Sequence, residues 1–448
     1  MLPASRTDQM LLALSDHISP FQLWSFWELP TGLDDPRLRR AIDCLVAAIP
    51  VLGCRLETRF WRDRWVQLDD LAPGEDLVRT LDCPDPRALE DATAEVVAAY
   101  VDVRSGPALR LHHLRHPGGS RLVLHLHHCL VDGHGLVRVM EELARCYRRL
   151  GREPGWRPSA PISLSRSAAP IFRGLAPLHW LRMPFAFVYQ NARLVLGRSR
   201  FSSFRMDREQ EIDGRLGVAR ATAVALDGTP VSALLDWCRD RRVTLNDYLT
   251  TAVLIALDRW NGAGAERAAA PGELLPLLFA GDLRPRFAPG HGPIANISAL
   301  QNLLFPRANI SNLTDTLPRV KAHIDRFKRR GFGLDALFAL FTLLPLPAGL
   351  FRLVSPPILR GMGQVILRLN GLTNIGVIPD DAGRFGDELR ADDCSILASI
   401  FPVSTMLLTA TTYRDRLTVQ LGYDGRGLSP GGARELGGIL AETFALRS

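Results

Sequence analysis

The chain has 448 residues, 47% hydrophobic and 23% charged, which excludes a disordered polymer and allows two domains with substantial cores. Its seven cysteines are odd in number, scattered and without a CxxC pair, which argues against a disulfide framework or zinc module and fits a reducing compartment. The net charge of +7 would suit nucleic acid, acidic proteins, phosphate-bearing ligands or anionic membrane, so its location matters more than its sum.

At the N-terminus, "MLPASRTDQMLLALSDHISP" lacks a basic start, and Asp8 and Asp16 interrupt the apolar run, so secretion is not expected and the cytoplasm is. Apolar residues at helical spacing predict helices over 35–50 and 88–102. "HHLRH" (112–116) has no Asp-Gly after it and reads as a histidine pair without chemistry. "RLVLHLHH" (121–128) alternates with period two and predicts a strand, and "GLVRVMEELARCYRRLG" (135–151) a helix with Leu136, Met140, Leu143 and Tyr147 inward. From residue 154 to 206 there is no Asp or Glu, while eight arginines alternate with Trp, Phe and Tyr, which predicts a lipid-headgroup surface or a cationic linker.

The alternation of helix and strand then restarts. "VTLNDYLTTAVLIALDRWNG" (243–262) predicts a helix capped by Thr244, and "PRVKAHIDRFKRRGF" (318–332) another. "ALFALFTLLPLPAGLF" (336–351) is shorter than the ~20 residues of a spanning helix and contains Pro345 and Pro347, so it is expected to be buried or interfacial. "MLLTATTYRDRLTVQLGYD" (406–424) predicts two strands around Arg414-Asp415, and Ser429-Pro430 opens a final helix. No repeat period is visible. The expected organisation is an α/β chain with an N-terminal lobe over 1–170, a basic aromatic crossover linker over 171–205 and a C-terminal lobe over 206–448.

"HLHHCLVDGHGL" (125–136) concentrates the chemistry. His128 continues the apolar row of Leu122, Leu124 and Leu126, and partial desolvation there favours a neutral imidazole able to act as a general base. Asp132 could hold the following loop by pairing with an arginine, Gly133 lets backbone approach a substrate, and amides at the helix start can face developing negative charge. Three alternatives compete with this assignment. His125 and His127 could grip a metal with His134 or Asp132, but the HxHxDH pattern of metallo-hydrolases needs Asp and His where the chain has Cys129 and Leu130, and no metal is expected. Cys129 lacks a feature that would lower its pKa and make it a nucleophile. The third alternative is histidines that merely finish a strand.

"HHCLVDG" (127–133) resembles the HHxxxDG motif of the CoA-dependent acyltransferase superfamily, which includes condensation domains, polyketide-associated acyltransferases, wax ester synthases and alcohol acetyltransferases. "IPVLGCRLE" (49–57), "TLNDYLTTA" (244–252), "GDLRPRF" with "GPIANIS" (281–298) and "LTNIGVIP" (372–379) resemble other family segments. The resemblance implies two chloramphenicol-acetyltransferase-like lobes in a V, with an interlobe tunnel meeting at the second histidine. It makes His128 the base, His127 a supporting residue, Asp132 structural and Gly133 a close-packing position. Condensation domains carry an arginine near their second motif that pairs with the motif aspartate; the matching position here is Gly53, leaving Arg55 and Arg284 to take its place. Asn296 and Ser404 are candidates for oxyanion or tunnel contacts.

The expected activity is acyl transfer from a CoA or carrier-protein thioester to a hydroxyl or amine, for lipid or natural-product ester formation. Acyl-CoA or acyl-phosphopantetheine would be a cosubstrate, with no permanently bound cofactor. A separate acyl or peptidyl carrier protein and peripheral contact with the inner membrane face are further expectations, and nucleic acid is not expected as a partner. The alternatives are a stand-alone condensation enzyme forming amides or esters and a non-catalytic scaffold of the same fold.

Overall fold

The computed structural model describes residues 2–445 other than 163–164, 173–174, 176, 203, 209–217, 227, 229, 263–269, 287–292, 330–345, 367–368 and 401–405. In chain order the first half runs β1 (Leu2–Pro3), α1 (Arg6–His17), β2 (Gln22–Leu29), α2 (Asp35–Ala48), β3 (Cys54–Glu57), β4 (Arg64–Gln67), α3 (Pro73–Leu77), β5 (Val78–Asp82), α4 (Pro86–Ala98), β6 (Leu109–His116), β7 (Gly119–His127) and α5 (Gly133–Arg152). Helices α2, α4 and α5 each start behind an aspartate N-cap, Asp34, Asp85 and Asp132, whose side chain accepts a first-turn amide hydrogen bond. Within this half β2, β7, β6 and β5 form one sheet, and β1, β4 and β3 a small second one.

Strand β7 is buried on both faces. Leu122, Leu124 and Leu126 join the core under α2 and α5, while Val123 joins Trp24, Phe26 and the α4 residues Val96 and Val97 on the other side. Two apolar layers thus clamp this central strand, which ends at His127 and places His128 just past its C-terminal end.

After α6 (Pro177–Gly197) the second half adds β8 (Ala219–Ala223), α7 (Val231–Asp240), α8 (Leu245–Gly262), β9 (Leu274–Asp282), β10 (Ser298–Pro306), α9 (Leu313–Arg329), α10 (Ala348–Ile366), β11 (Asn370–Val377), β12 (Asp393–Leu397), β13 (Met406–Tyr413), β14 (Arg416–Asp424) and α11 (Pro430–Ala445). Six strands form a mixed sheet in the order β10-β9-β11-β13-β14-β8, covered on one face by α8, α9 and α11. Thr244 caps α8 as its sequence predicts: its Oγ1 accepts the Asp247 amide while Asp247 accepts the Thr244 amide. Arg414 and Asp415, both at positive φ, make the two-residue hairpin turn between β13 and β14. The apolar run over 336–351 lies outside the described residues up to 345; residues 348–351 begin α10.

Two features cross the expected division. Strand β12, from the second half, pairs antiparallel with β2 and completes the first sheet as β12-β2-β7-β6-β5. The stretch 171–205, expected as a linker, contains the 21-residue helix α6.

Candidate active site

His128 and its neighbours meet the second half across an apolar cavity of about 220 Å³. Its walls are α1 (Met10, Leu11, Leu14), β9 and β10 (Leu278, Ala280, Ala299, Leu300) and β11 (Thr373, Asn374, Ile375), with His128, Asp132, Gly133 and Asn296 on the same surface. A larger cleft of about 1250 Å³ lies elsewhere, between α4, β8 and β14. Its described lining holds Arg121, Glu28, Arg416 and Asp393 but no histidine or cysteine, and Arg121 is ion-paired to Glu28 at 2.6 Å.

Asn296 sets the state of His128. Its Nδ2 donates to the His128 and Cys129 carbonyls at 2.8 and 3.1 Å, so its Oδ1 must be the acceptor facing His128 Nδ1 at 2.9 Å. The proton of the neutral ring therefore sits on Nδ1, leaving Nε2 as the unprotonated nitrogen of a residue that lines the cavity. Burial lowers the His128 pKa; hydrogen bonds to its own and the Val131 carbonyls, the Asp132 charge and Asn296 oppose burial without overcoming it. A histidine so placed is neutral at pH 7.

His127 is its opposite. Its Nδ1 accepts the Cys129 amide hydrogen at 3.1 Å, so Nε2 carries the proton and donates to Ser15 Oγ at 3.1 Å. Burial, with the neighbouring His128 adding to it, lowers its pKa to about 3. His125 stacks on Trp24 and donates to Gln22 Oε1 at 2.8 Å. The two imidazoles that could have shared an ion are thus held by separate protein partners. The His134 Nε2 lies 3.9 Å from Asp282 Oδ2, and both residues line the cavity. Cys129 is buried, its thiol pushed well up by burial and pointed at the Asp8 carbonyl, so it is not a thiolate nucleophile.

Asp132 caps α5 and anchors the lobes. Arg284 forks onto it, Nη2 to Oδ1 at 2.7 Å and Nη1 to Oδ2 at 2.9 Å, while the amides of Gly135 and Ile297 and the Ser298 hydroxyl complete its shell. Burial would raise its pKa, but the Arg284 charge and these hydrogen bonds outweigh burial and bring it to about 2. Arg284 itself is steadied by Asp282 and the Ala295 carbonyl.

Several expectations change here. Arg55 lies exposed on β3, opposite Val66, and takes no part; Arg284 is the arginine that pairs with Asp132. Asn296 is not free to donate to an oxyanion, because both its amide hydrogens are spent on backbone carbonyls; it orients His128 instead. Ser404 lies outside the described residues. Gly133 packs against the other half: a Cβ there would stand 2.3 Å from Ile375 Cδ1. Ile375 is thrown toward it by a bulge in β11, where the register shifts between Asn374 and Gly376, Gly376 taking φ +83°.

Sequence reasoning misses Arg166, which belongs to the cationic stretch. It is buried, ion-paired with Asp8 at 2.7 Å, stacked over Trp65, and donates to the Cys129 and Leu130 carbonyls that follow His128. No acid nearby in sequence signals this role, since Asp8 is 158 residues away.

No family model matches the sequence. A stretch of 237 residues, 50% of this chain, is 25% identical to part of a linear gramicidin synthase from Brevibacillus parabrevis, and the match covers 3% of that protein. Among solved structures, the first condensation domain of the calcium-dependent antibiotic synthetase, in complex with a substrate analogue, superposes with a TM-score of 0.67 at 14% identity, covering 100% of this chain and 96% of that one. The epimerization domain of tyrocidine synthetase B gives 0.64 at 14% identity, covering 99% and 95%. The wax ester synthase/diacylglycerol acyltransferase of Marinobacter aquaeolei VT8 gives 0.59 at 18% identity, covering 99% and 98%. Two mixed α/β lobes, joined at a histidine-bearing cavity, give this chain the fold of condensation domains and of that wax ester synthase along its whole length.

Proposed function

We propose that the protein is an acyltransferase that moves an acyl group from a CoA or carrier-bound thioester to a hydroxyl or amine acceptor. The observation that carries this reading is the His128 ring, its Nδ1 proton fixed by Asn296 so that Nε2 is the unprotonated nitrogen, in an apolar cavity lined from both lobes. As the acceptor attacks the thioester carbonyl carbon, Nε2 takes its proton; as the C–S bond breaks, the imidazolium returns that proton to the departing thiolate. Atoms and charge balance without a covalent enzyme intermediate. The N-terminal end of α5, whose Gly133 and His134 line the cavity, is the candidate to stabilise the tetrahedral oxyanion through first-turn amides that have no partner within the helix.

The largely apolar walls support a hydrophobic acyl chain or acceptor, in keeping with lipid or natural-product esters. The likeness to a gramicidin synthase favours a second reading, amide or ester formation from acyl groups on a separate carrier protein. Thiol release from short and long acyl-CoA, and from an acylated carrier, with alcohol and amine acceptors distinguishes the two. The wild type should release thiol only with an acceptor present. Equal rates from His128→Ala would overturn the assignment, and no turnover with any pair would leave a non-catalytic scaffold.

A further inference from the structure

Helix α6 is apolar on the side where a surface helix is normally charged. Its inward residues Met183 and Leu194 pack toward the second half: Met183 joins a cluster with Ala299, and Leu194 one with Leu278, both cavity-lining residues. The outward face carries Leu181, Phe185, Val188, Tyr189 and Leu196 at helical spacing, with Phe185 and Leu196 each 77% exposed. Around them Arg182, Arg193, Arg198 and Arg200 are exposed, none paired with a carboxylate among the described residues, and from Pro154 to Met206 the sequence offers none.

A second exposed apolar site borders the cavity through α1. Phe351 of α10 packs on Ala13 together with Met10 and Leu14, and the last two line the cavity. The start of α10 holds the loop between β3 and β4, the Gly349 amide donating to the Phe60 carbonyl at 2.6 Å. Asp63 fixes the same loop by accepting the Arg59 amide and Arg352. Its tip presents Phe60 and Trp61, the latter 75% exposed, next to Arg62. An indole and a phenyl ring held outward on a rigid loop beside arginine suit the boundary between headgroups and acyl chains.

We propose that α6 and the Phe60–Trp61 loop form an interfacial docking surface for an anionic lipid bilayer, bordering the catalytic cavity on two sides. No helix among the described residues is long and apolar enough to cross a membrane, so the contact is lateral. The apolar side chains enter the interface while the arginines around them meet lipid phosphate, and the charge accounts for a preference for anionic lipid. The surface goes beyond the proposed chemistry, and its test reads binding rather than turnover.

Purified full-length protein is sedimented with vesicles of phosphatidylcholine alone and of phosphatidylcholine with phosphatidylglycerol, at low and high salt. Binding to the anionic vesicles should exceed that to the neutral ones by at least about tenfold at low salt and weaken at high salt. The double variant Leu181→Glu/Phe185→Glu should lose it, with circular dichroism confirming a folded chain; Trp61→Ser, on a separate element, should weaken it independently. No sedimentation of the wild type at low salt, or retention by both variants, overturns the proposal. So does a wild type that ignores vesicles but binds an acidic carrier protein through these positions.

Discussion

The chain contains two His-His pairs, 112–113 and 127–128, and the structure gives them opposite fates. His113 has its proton on Nδ1, donated to Asp35 at 2.6 Å, as His128 donates Nδ1 to Asn296. The difference is in the surroundings: His113 Nε2 accepts the Leu33 amide at 3.4 Å inside the core, whereas His128 lines a cavity and its Nδ1 is the nitrogen held by Asn296. A tautomer fixed by a neighbour is therefore common to a histidine enclosed in the core and one that lines a cavity. What separates them is whether the ring is enclosed by protein or borders a space that a substrate could enter.

Breaking each pair in turn tests this contrast, and the largest effect is expected at His128. His128→Ala should lower turnover by ~10²–10⁴-fold with little change in melting temperature. His113→Ala should instead lower the melting temperature and leave the rate per folded molecule unchanged. Equal behaviour of the two variants would remove the distinction.

Next comes the anchor beneath the motif. Arg284→Ala leaves Asp132 buried without its cation, and denaturant titration should show a loss of ~3–5 kcal/mol, while Arg55→Ala should be neutral. Asn296→Ala frees the His128 ring to adopt the wrong tautomer and should cost about tenfold in turnover, partly recovered by Asn296→Gln if the longer amide reaches Nδ1.

The pH dependence separates activity from stability. Because His128 must be neutral to act and burial lowers its pKa, kcat/KM should rise with pH through an apparent pKa below the ordinary histidine value and then level off. Stability should follow different histidines. His112, His125 and His127 have pKa values lowered mainly by burial, to about 4, 3 and 3. Between these values and roughly 6.5 the unfolded chain binds the protons that the folded chain refuses, so the melting temperature should fall as pH drops through that window. An activity profile and a melting profile that coincide would mean that a single group governs both.

The parts of the site legible in the sequence are those written locally. Period-two alternation marks β7, and the cap and apolar spacing mark α5, so the region between them is found with no partner known. What joins that region to the rest of the molecule leaves no such mark. Arg55 and Arg284 are equal candidates in sequence, and only in the folded chain does Arg284 meet an aspartate 152 residues earlier. Asn296 is legible in its position but not in its part, because a side-chain amide reveals its donors and acceptors only once the carbonyls around it are placed. Arg166 resembles one more surface cation until Asp8 and Trp65 enclose it.

Strand β12 has a consequence for biosynthesis. Until Asp393–Leu397 leaves the ribosome, β2, with "QLWSFWEL", is the open edge of its sheet. At ~5–20 residues per second that interval lasts on the order of tens of seconds, during which a nascent chain carries an unprotected, tryptophan-rich template for intermolecular pairing. Expressing the first half alone would make this exposure permanent, so its insolubility would be a property of the missing edge strand rather than of a defective core.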